Sequence, residues 1–294
     1  MPYDIETSLS AYSLDANIST EVAKPFASEL CVANGDVVPG TLPMAEGSVE
    51  GIFDVDGKTV PVAKGIHERM NPASITKVMT ALIALKYGKI EDTLVASKNV
   101  LITESGAQVI PLKEGDRMTL DNALHALLMY SANDVAVMIA EYISGSSEAF
   151  AELMNEEARA LGATNTHFVN PNGLTDENHY TTAYDLYLIF NEAVRYEKFI
   201  ELISTMEYTC TYYDAAGNEK SLDLSNSNQY LTGGAETPVG VTVIGGKTGT
   251  TKAAGSCLIL LSRNAAGKPY ISVVLNAQDR AGLYEQMSSL FAFE

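Results

Sequence analysis

The hexapeptide PASITK at positions 72–77 leads directly into the apolar run VMTALIAL at positions 78–85. Apolar residues recur at helical spacing in this run, which predicts a buried helix. Pro72 suits the turn that enters a helix, because its fixed φ and missing N–H do no harm there. Ser74 then falls in the first turn, and Lys77 follows three residues later on the same face. We therefore expect a hydroxyl and an amine side by side at a helix N-terminus.

A serine and a lysine held in this way can carry out nucleophilic catalysis. A neutral Lys77 amine could accept the proton of Ser74, and the free N–H groups at the helix start could hold an oxyanion. The Ser-x-x-Lys pattern is a weak signal by itself, because serines often open helices and lysines are common one turn on. The alternative is a capping serine beside a solvated lysine, and the choice depends on motifs later in the chain.

Size and charge exclude several classes of protein. A chain of 294 residues can bury one large core or two smaller ones. The net charge of −18 argues against nucleic acid or an anionic membrane as a partner. No apolar run approaches the length of about 18–20 residues that a membrane span needs. The first residues are polar and acidic and predict no signal peptide, so for an exported protein we expect the targeting segment outside this sequence.

The cysteines and histidines give no sign of a metal site or cofactor. Cys31, Cys210 and Cys257 are scattered without metal-type spacing, and we interpret them as small apolar residues. The four histidines include no His-x-x-x-His pair, and the chain has no Gly-rich phosphate loop. We therefore expect neither a metal nor a cofactor.

Strand and helix patterns divide the chain. We predict that residues 1–44 form a polar tail that leads into a first strand near residues 30–38. Residues 45–294 are predicted to form the catalytic domain. Strand patterns occur at both ends of this domain, whereas helical patterns dominate roughly residues 95–200. We predict an α+β fold with one antiparallel sheet flanked by helices and an inserted all-helical lobe over roughly 95–200. A cleft between the two parts is the expected place for a small-molecule site.

Two further motifs strengthen the functional interpretation of the Ser-x-x-Lys pattern. Ser131-Ala132-Asn133 interrupts two predicted helices, and Lys247-Thr248-Gly249 lies on a predicted glycine-rich strand. Together with residues 74–77 they form the ordered set S-x-x-K, S-x-N and K-T-G. Each motif is weak alone, but all three occur in order and in the structural contexts that the chemistry needs, which argues against coincidence.

With these motifs the chain resembles the serine D-alanyl-D-alanine carboxypeptidases, the low-molecular-mass penicillin-binding proteins. The resemblance also includes NTHFVNPNGL at 165–174 and NHYTTAYDL at 178–186, and it covers about residue 45 to the end. It implies a β-lactamase/transpeptidase-like fold. It further implies a peptidoglycan stem peptide ending in D-Ala-D-Ala as substrate, covalent acylation by β-lactams, and a location in the cell envelope at the outer face of the cytoplasmic membrane.

Many relatives of this kind carry a further β-rich domain and a C-terminal amphipathic anchor, which this sequence does not reach. We therefore expect contact with the membrane only through segments outside the sequence.

Chemistry and resemblance together suggest a role for each motif residue. Ser74 is the expected nucleophile and Lys77 the expected base, with a pKa that burial and the nearby Lys247 would lower. A charged lysine that only holds the serine by a hydrogen bond is the alternative for Lys77. Ser131 could relay the proton to the leaving amine, and Asn133 could hold the substrate amide.

The remaining predicted residues bind substrate. Lys247 and Thr248 would bind the terminal carboxylate, and Gly249 would let the strand approach the substrate closely. The oxyanion hole would consist of the N–H groups of the nucleophilic serine and of Thr250. Arg280 resembles a family arginine near the carboxylate pocket, with a plain surface residue as the alternative.

Two other functions remain open from the sequence. A β-lactamase needs a general base that hydrolyses the acyl-enzyme, and the region 171–185 offers Asp176 and Glu177 while resembling the carboxypeptidase stretch. A non-catalytic β-lactam sensor or peptidoglycan-binding module could keep Ser74 without turnover. Endopeptidase or transpeptidase action on peptidoglycan is expected as a side activity, because the acyl-enzyme is common to these reactions.

Overall fold

The computed structural model describes residues 26–43 and 45–294. The chain divides into a unit of residues 1–30, whose described part contains a 3₁₀ turn at Phe26–Glu29, and a unit of residues 31–294 that contains every element named below. The predicted tail over residues 1–25 lies outside the described residues. The strand predicted near residues 30–38 is absent, since only Val37 of residues 30–38 makes an isolated bridge, to Ala63.

The described residues form nine strands and eight α-helices. The strands are β1 Val49–Asp54, β2 Thr59–Lys64, β3 Thr93–Val95, β4 Arg117–Thr119, β5 Glu207–Tyr213, β6 Glu219–Ser225, β7 Thr242–Thr251, β8 Gly255–Arg263 and β9 Pro269–Ala277. The helices are α1 Lys77–Tyr87, α2 Leu120–His125, α3 Asn133–Ser144, α4 Ser147–Ala160, α5 Ala183–Ala193, α6 Glu197–Ser204, α7 Gln229–Thr232 and α8 Arg280–Leu290.

The main sheet is antiparallel and draws its strands from both ends of the unit. Its order is β2-β1-β9-β8-β7, so that β7 is an edge strand. Strand β8 is buried along almost its whole length, because it lies between β7 and β9 and is in contact with helix α8 and with the turn at Ala73–Thr76. Helix α5 packs against β1 and β9. Leu258 and Leu260 of β8 belong to one buried cluster with Leu283 and Met287 of α8. Apolar side chains on both faces thus fix the sheet between helices.

A second, smaller antiparallel sheet has the order β3-β4-β5-β6. The predicted α+β fold is confirmed, but the all-helical character expected for residues 95–200 is not, because β4 lies inside that range and β3 at its start. Each of these strands has only three residues, which is too short to leave a period of two in the sequence. The limits of the helical lobe and the boundary at residues 44/45 stay predictions.

Candidate active site

The Ser-x-x-Lys motif at residues 74–77 carries the predicted nucleophile and is called the nucleophile motif, and its turn the nucleophile turn, below. It forms a tight turn that opens a buried helix. Residues Ala73–Thr76 form a 3₁₀ turn, and α1 begins at Lys77, so the first turn of the predicted helix is 3₁₀ rather than α. The Oγ atom of Ser74 lies 2.9 Å from the Nζ atom of Lys77. The expected neighbouring hydroxyl and amine are therefore present.

Lys77 is completely buried, and its amine has three neutral oxygen neighbours. Besides Ser74, Nζ donates to Asn133 Oδ1 at 2.9 Å and to the carbonyl oxygen of Asn172 at 2.6 Å. Burial lowers the pKa of Lys77 well below its ordinary value, the charge of Lys247 lowers it further, and Asp134 opposes both effects. A neutral amine has two hydrogens, which these two acceptors use, and its lone pair is then free to face the serine hydroxyl.

The loop at positions 170–174 places the Asn172 carbonyl. Gly173 has a φ of +83°, and a Cβ atom there would lie 1.9 Å from the carbonyl oxygen of Ala73, so that only glycine fits against the nucleophile turn. Thr80 Oγ1 donates to the carbonyl oxygen of Pro171 at 2.6 Å. The sequence predicts a turn here, but it gives no indication that the turn supplies a partner to Lys77.

His179 ties the same loop to the nucleophile motif, and the sequence assigned it no role. Its Nδ1 accepts from the backbone N–H of Val169 at 3.2 Å, which leaves the proton on Nε2, 2.8 Å from Thr76 Oγ1. Burial lowers the pKa of His179 to about 4, against the opposing charge of Asp176. At neutral pH the ring is therefore an uncharged bridge between residues 169 and 76.

The second motif follows a π-helical turn at Ala126–Tyr130 that ends α2. Ser131 adopts a left-handed conformation, with φ 67° and ψ 33°, and its Oγ accepts from Lys247 Nζ at 3.0 Å. Asn133 begins α3, and while its Oδ1 accepts from Lys77, its Nδ2 donates to the carbonyl oxygen of Gln108 at 2.9 Å. The structure thus shows Asn133 bound to protein partners at both ends of its amide, and contact with the substrate amide stays a prediction.

Asp134 fixes the segment that carries Gln108, and the sequence did not identify it. Its buried carboxylate accepts from the backbone N–H groups of Ile110 and Leu112, each at 3.1 Å. Burial raises the pKa of Asp134 despite these hydrogen bonds. The residue anchors one wall of the site on the N-terminus of α3.

The third motif lies on the edge strand β7. Lys247 is completely buried, and its Nζ donates to Ser131 Oγ and, at 2.9 Å, to the carbonyl oxygen of Thr248. Burial lowers the pKa of Lys247 to about 7. A Cβ atom at Gly249 would lie 3.0 Å from the Ser74 nitrogen, so glycine allows β7 to pass close to the nucleophile turn. The structure brings all three motifs to one place.

The three motifs border an open cleft with a volume of about 650 Å³. Thr248, Thr250 and Arg280 line it, and Arg280 is exposed at the start of α8. Their role in substrate binding stays a prediction. Ser227 also lines the cleft, with its Oγ 2.6 Å from Thr248 Oγ1, and no sequence motif pointed to it. The other described lining residues are Ser74, Glu104, Ser105, Gly106, Ala107, Gln108, Met129, Tyr130, Ser131, Asn133, Gly173, Leu174, Thr175, Ser225, Gly249, Thr251 and Lys252.

A serine hydroxyl beside a buried amine of lowered pKa, at a cleft edged by a Lys-Thr-Gly strand, defines the class of serine enzymes that form acyl-enzymes with the help of lysine. Comparison with family models gives the narrower assignment. The model of peptidase family S11, D-alanyl-D-alanine carboxypeptidase, matches residues 48–279. The chain belongs to this family.

Individual relatives agree with the family assignment. D-alanyl-D-alanine carboxypeptidase DacF of Bacillus subtilis is 35% identical over 247 residues, which are 82% of this chain and 60% of the relative. DacC of Escherichia coli, a D-alanyl-D-alanine carboxypeptidase, is 32% identical over 220 residues, which are 72% of this chain and 52% of the relative. The chain thus spans between half and two thirds of the length of these curated relatives.

A solved structure shows the same fold. The crystal structure of the Streptomyces K15 DD-transpeptidase superposes with a TM-score of 0.78, covering 85% of this chain and 97% of that one, at 24% sequence identity. This likeness is evidence for the fold of the unit, and the site is argued from the contacts described above.

Proposed function

We propose that this protein is a serine-type D-Ala-D-Ala carboxypeptidase that removes the terminal D-alanine from the pentapeptide of peptidoglycan through an acyl-enzyme. The observation that carries the proposal is the 2.9 Å approach of Ser74 Oγ to the Nζ atom of Lys77, an amine whose pKa is well below its ordinary value. Membership of the D-alanyl-D-alanine carboxypeptidase family supports the choice of substrate.

Acylation begins when Ser74 Oγ attacks the carbonyl carbon of the D-Ala-D-Ala peptide bond and Lys77 accepts the hydroxyl proton. The backbone N–H groups of Ser74 and Thr250 would stabilise the oxyanion of the tetrahedral intermediate. The C–N bond then breaks, and Ser131 gives a proton to the departing nitrogen. One proton thus moves from the nucleophile to the leaving amine by way of Lys77 and Ser131, and D-alanine leaves.

Deacylation repeats this chemistry with water. A water molecule attacks the ester carbon, Lys77 accepts its proton, and the bond to Ser74 Oγ breaks with return of a proton to that oxygen. The products are the shortened peptide, with a new carboxylate, and the free enzyme. A β-lactam would acylate Ser74 in the same way. Its leaving nitrogen stays tethered in the opened ring, however, so we expect the β-lactam acyl-enzyme to persist.

The β7 side of the cleft suits the substrate carboxylate. Lys247 and Thr248 lie on this strand, and the exposed Arg280 and Lys252 add positive charge to the lining. The two acidic residues that the sequence offered as a deacylating base of a β-lactamase are poorly placed, because Asp176 and Glu177 are exposed and do not line the cleft. The hydrolysis of β-lactams is therefore not the function that the geometry favours.

We place the protein in the cell envelope, at the outer face of the cytoplasmic membrane, because the proposed substrate is located there. None of the helices in the described part of the chain combines the length and the apolar character needed to cross a bilayer. Peptidoglycan stem peptides and β-lactams are the partners that the proposal requires.

The deciding experiment measures D-alanine release from diacetyl-Lys-D-Ala-D-Ala by the wild-type protein, with the Ser74→Ala variant as the blank. Steady release that the blank lacks is the expected result. Acylation by a fluorescent penicillin without release would instead indicate a β-lactam sensor or peptidoglycan-binding module. Rapid turnover of nitrocefin would indicate a β-lactamase. Either of these two outcomes would overturn the carboxypeptidase proposal.

A further inference from the structure

Ser227 is a polar residue of the cleft that belongs to none of the three motifs. It lies between β6 and α7, is half-buried, and lines the cleft. Its Oγ atom is 2.6 Å from Oγ1 of Thr248, close enough for a hydrogen bond in which either hydroxyl can be the donor. Two hydroxyls that lie 21 residues apart in the chain thus meet on the β7 side of the cleft.

The backbone around Ser227 is fixed independently of its side chain. The N–H group of Ser227 donates to the carbonyl oxygen of Met129 at 3.2 Å. On one side the buried Asn226 donates from Nδ2 to the carbonyl oxygen of Thr205 at 2.8 Å. On the other side the buried Asn228 donates its N–H to Asn226 Oδ1 at 2.9 Å. The backbone that carries the Ser227 side chain is therefore held in place before any ligand arrives, which reduces the entropy lost on binding.

We propose that Ser227 and Thr248 form a hydroxyl pair that binds the free C-terminal carboxylate of the substrate, and that Ser227 helps to select a free acid over an ester or amide. This inference rests on the proposed function. In the free protein one hydroxyl donates to the other. A carboxylate has two oxygens with several acceptor positions, so each hydroxyl can turn to donate to one oxygen.

The selectivity follows from the chemistry of the acceptor. A hydrogen bond to a charged oxygen is stronger than one to a neutral oxygen, and an amide or ester offers only one good acceptor oxygen in place of two. The second hydroxyl should therefore contribute to the binding of an acid and little to that of its neutral derivative. Thr248 alone could hold one oxygen of either ligand.

The test compares the wild type with Ser227→Ala on two peptides, diacetyl-Lys-D-Ala-D-Ala and its C-terminal amide. We expect kcat/KM for the free acid to fall about tenfold in the variant, chiefly through KM, since a hydrogen bond to a charged group is lost. We expect kcat/KM for the amide to stay within about twofold. Ser227→Thr keeps a hydroxyl and should restore most of the activity on the acid.

Ser225→Ala is the matched control, because Ser225 is an exposed serine that lines the same cleft two residues away. It should leave the acid-to-amide ratio unchanged. An equal loss on acid and amide in Ser227→Ala would show that Ser227 only maintains local structure, and no loss on either would show that the pair binds nothing. Both results overturn the inference.

A second readout separates this inference from the proposed function. If the wild type is acylated by penicillin but releases no D-alanine, the carboxypeptidase proposal fails. The inference about Ser227 is then tested with benzylpenicillin and its methyl ester in place of the two peptides, and the acylation rate is measured. Ser227→Ala should then slow acylation by the acid and leave acylation by the ester unchanged. A protein that neither ligand acylates would refute both proposals.

Discussion

Each side of the cleft contains a completely buried lysine: Lys77 at the start of α1, on the side called the helical wall, and Lys247 on β7, on the side called the sheet wall. The two lysines differ in what surrounds the amine. On the helical wall, Lys77 has three oxygen neighbours, from Ser74, Asn133 and Asn172. On the sheet wall, Lys247 has two, from Ser131 and its neighbour Thr248. All of these partners are neutral oxygens, so both amines lose water without gaining a carboxylate.

The two lysines differ in what lowers their pKa values. Burial is the first cause at both sites and lowers the pKa of Lys247 to about 7, whereas at Lys77 the charge of Lys247 lowers the pKa further and the charge of Asp134 opposes it. The lowered pKa of Lys77 favours the neutral form of its amine, which can accept a proton from the neighbouring Ser74 hydroxyl. A pKa of about 7 leaves Lys247 partly charged near neutral pH, which suits an anionic ligand.

The largest expected effect comes from removing the nucleophile. Ser74→Ala should abolish covalent labelling by a fluorescent penicillin, because the hydroxyl beside the Lys77 amine is lost. Labelling is measured by in-gel fluorescence, and unchanged thermal unfolding would show that the fold is intact. Labelling that persists in the variant would remove Ser74 from the mechanism.

Removing the proposed base on the helical wall should slow acylation almost as strongly. Lys77→Ala should slow penicillin acylation by about 10³-fold or more, since it removes both the proton acceptor and the start of the relay. Lys89→Ala is the control, because Lys89 is exposed just beyond the same helix. Stopped-flow measurement of the acylation rate constant compares the two variants, and similar rates for both would place the base elsewhere.

Removing the lysine of the sheet wall tests the coupling between the two walls. Lys247→Met should lower kcat/KM for the acid peptide about 100-fold, because a cation near the carboxylate is lost. It also removes the second cause of the low pKa of Lys77. The pKa of Lys77 should therefore rise, and the acid limb of the pH profile of penicillin acylation should move to higher pH. An unmoved acid limb would contradict the electrostatic coupling.

The same substitution should raise stability. Lys247 has a folded-state pKa of about 7. Its pKa in the unfolded chain is about 10.4. Between these values the unfolded chain binds more protons, so wild-type stability rises with pH through this window. Lys247→Met should be more stable than the wild type by on the order of 4 kcal/mol at pH 7, with the difference shrinking toward pH 10. Urea unfolding at both pH values measures it, and a pH-independent difference would exclude a depressed pKa.

The smallest effect is expected at His179, which acts through Thr76 and Val169 and is a positioning residue. His179→Leu should slow acylation about tenfold, because the loop that carries the Asn172 carbonyl loses its link to the nucleophile turn. His179→Gln offers both a donor and an acceptor and should restore most of the rate. The measured quantity is the rate constant of acylation at saturating penicillin. Equal defects in both variants, after correction for the folded fraction, would mean that the ring fills space only.

Much of the site was predictable because its chemistry requires particular residue types at short spacing. Ser74 and Lys77 are three residues apart on one helical turn, so local geometry alone predicts their contact. The partners that the sequence missed are distant in the chain. Asn172 lies 95 residues from Lys77, and His179 lies 103 residues from Thr76. Such contacts leave no periodic pattern, since only the packing of the loop on α1 creates them.

The fold, like the site, has features that the sequence predicts and features that it does not. Long runs such as α1 and β8 were predictable from their apolar content, whereas the three-residue strands β3 and β4 were not. Residues 30–38 have apolar positions that suggested a strand, but a strand needs a partner along its length, and only Val37 has one.

The amino-acid sequence by itself determined the family, the α+β class and the contact between the Ser74 hydroxyl and the Lys77 amine, because these depend on residue type and on spacing within one turn. Only the tertiary structure decided how deeply each amine is buried and which charges lie near it. Burial and the approach of two like charges set pKa values, and both arise when strand β7 passes beside the turn that opens α1.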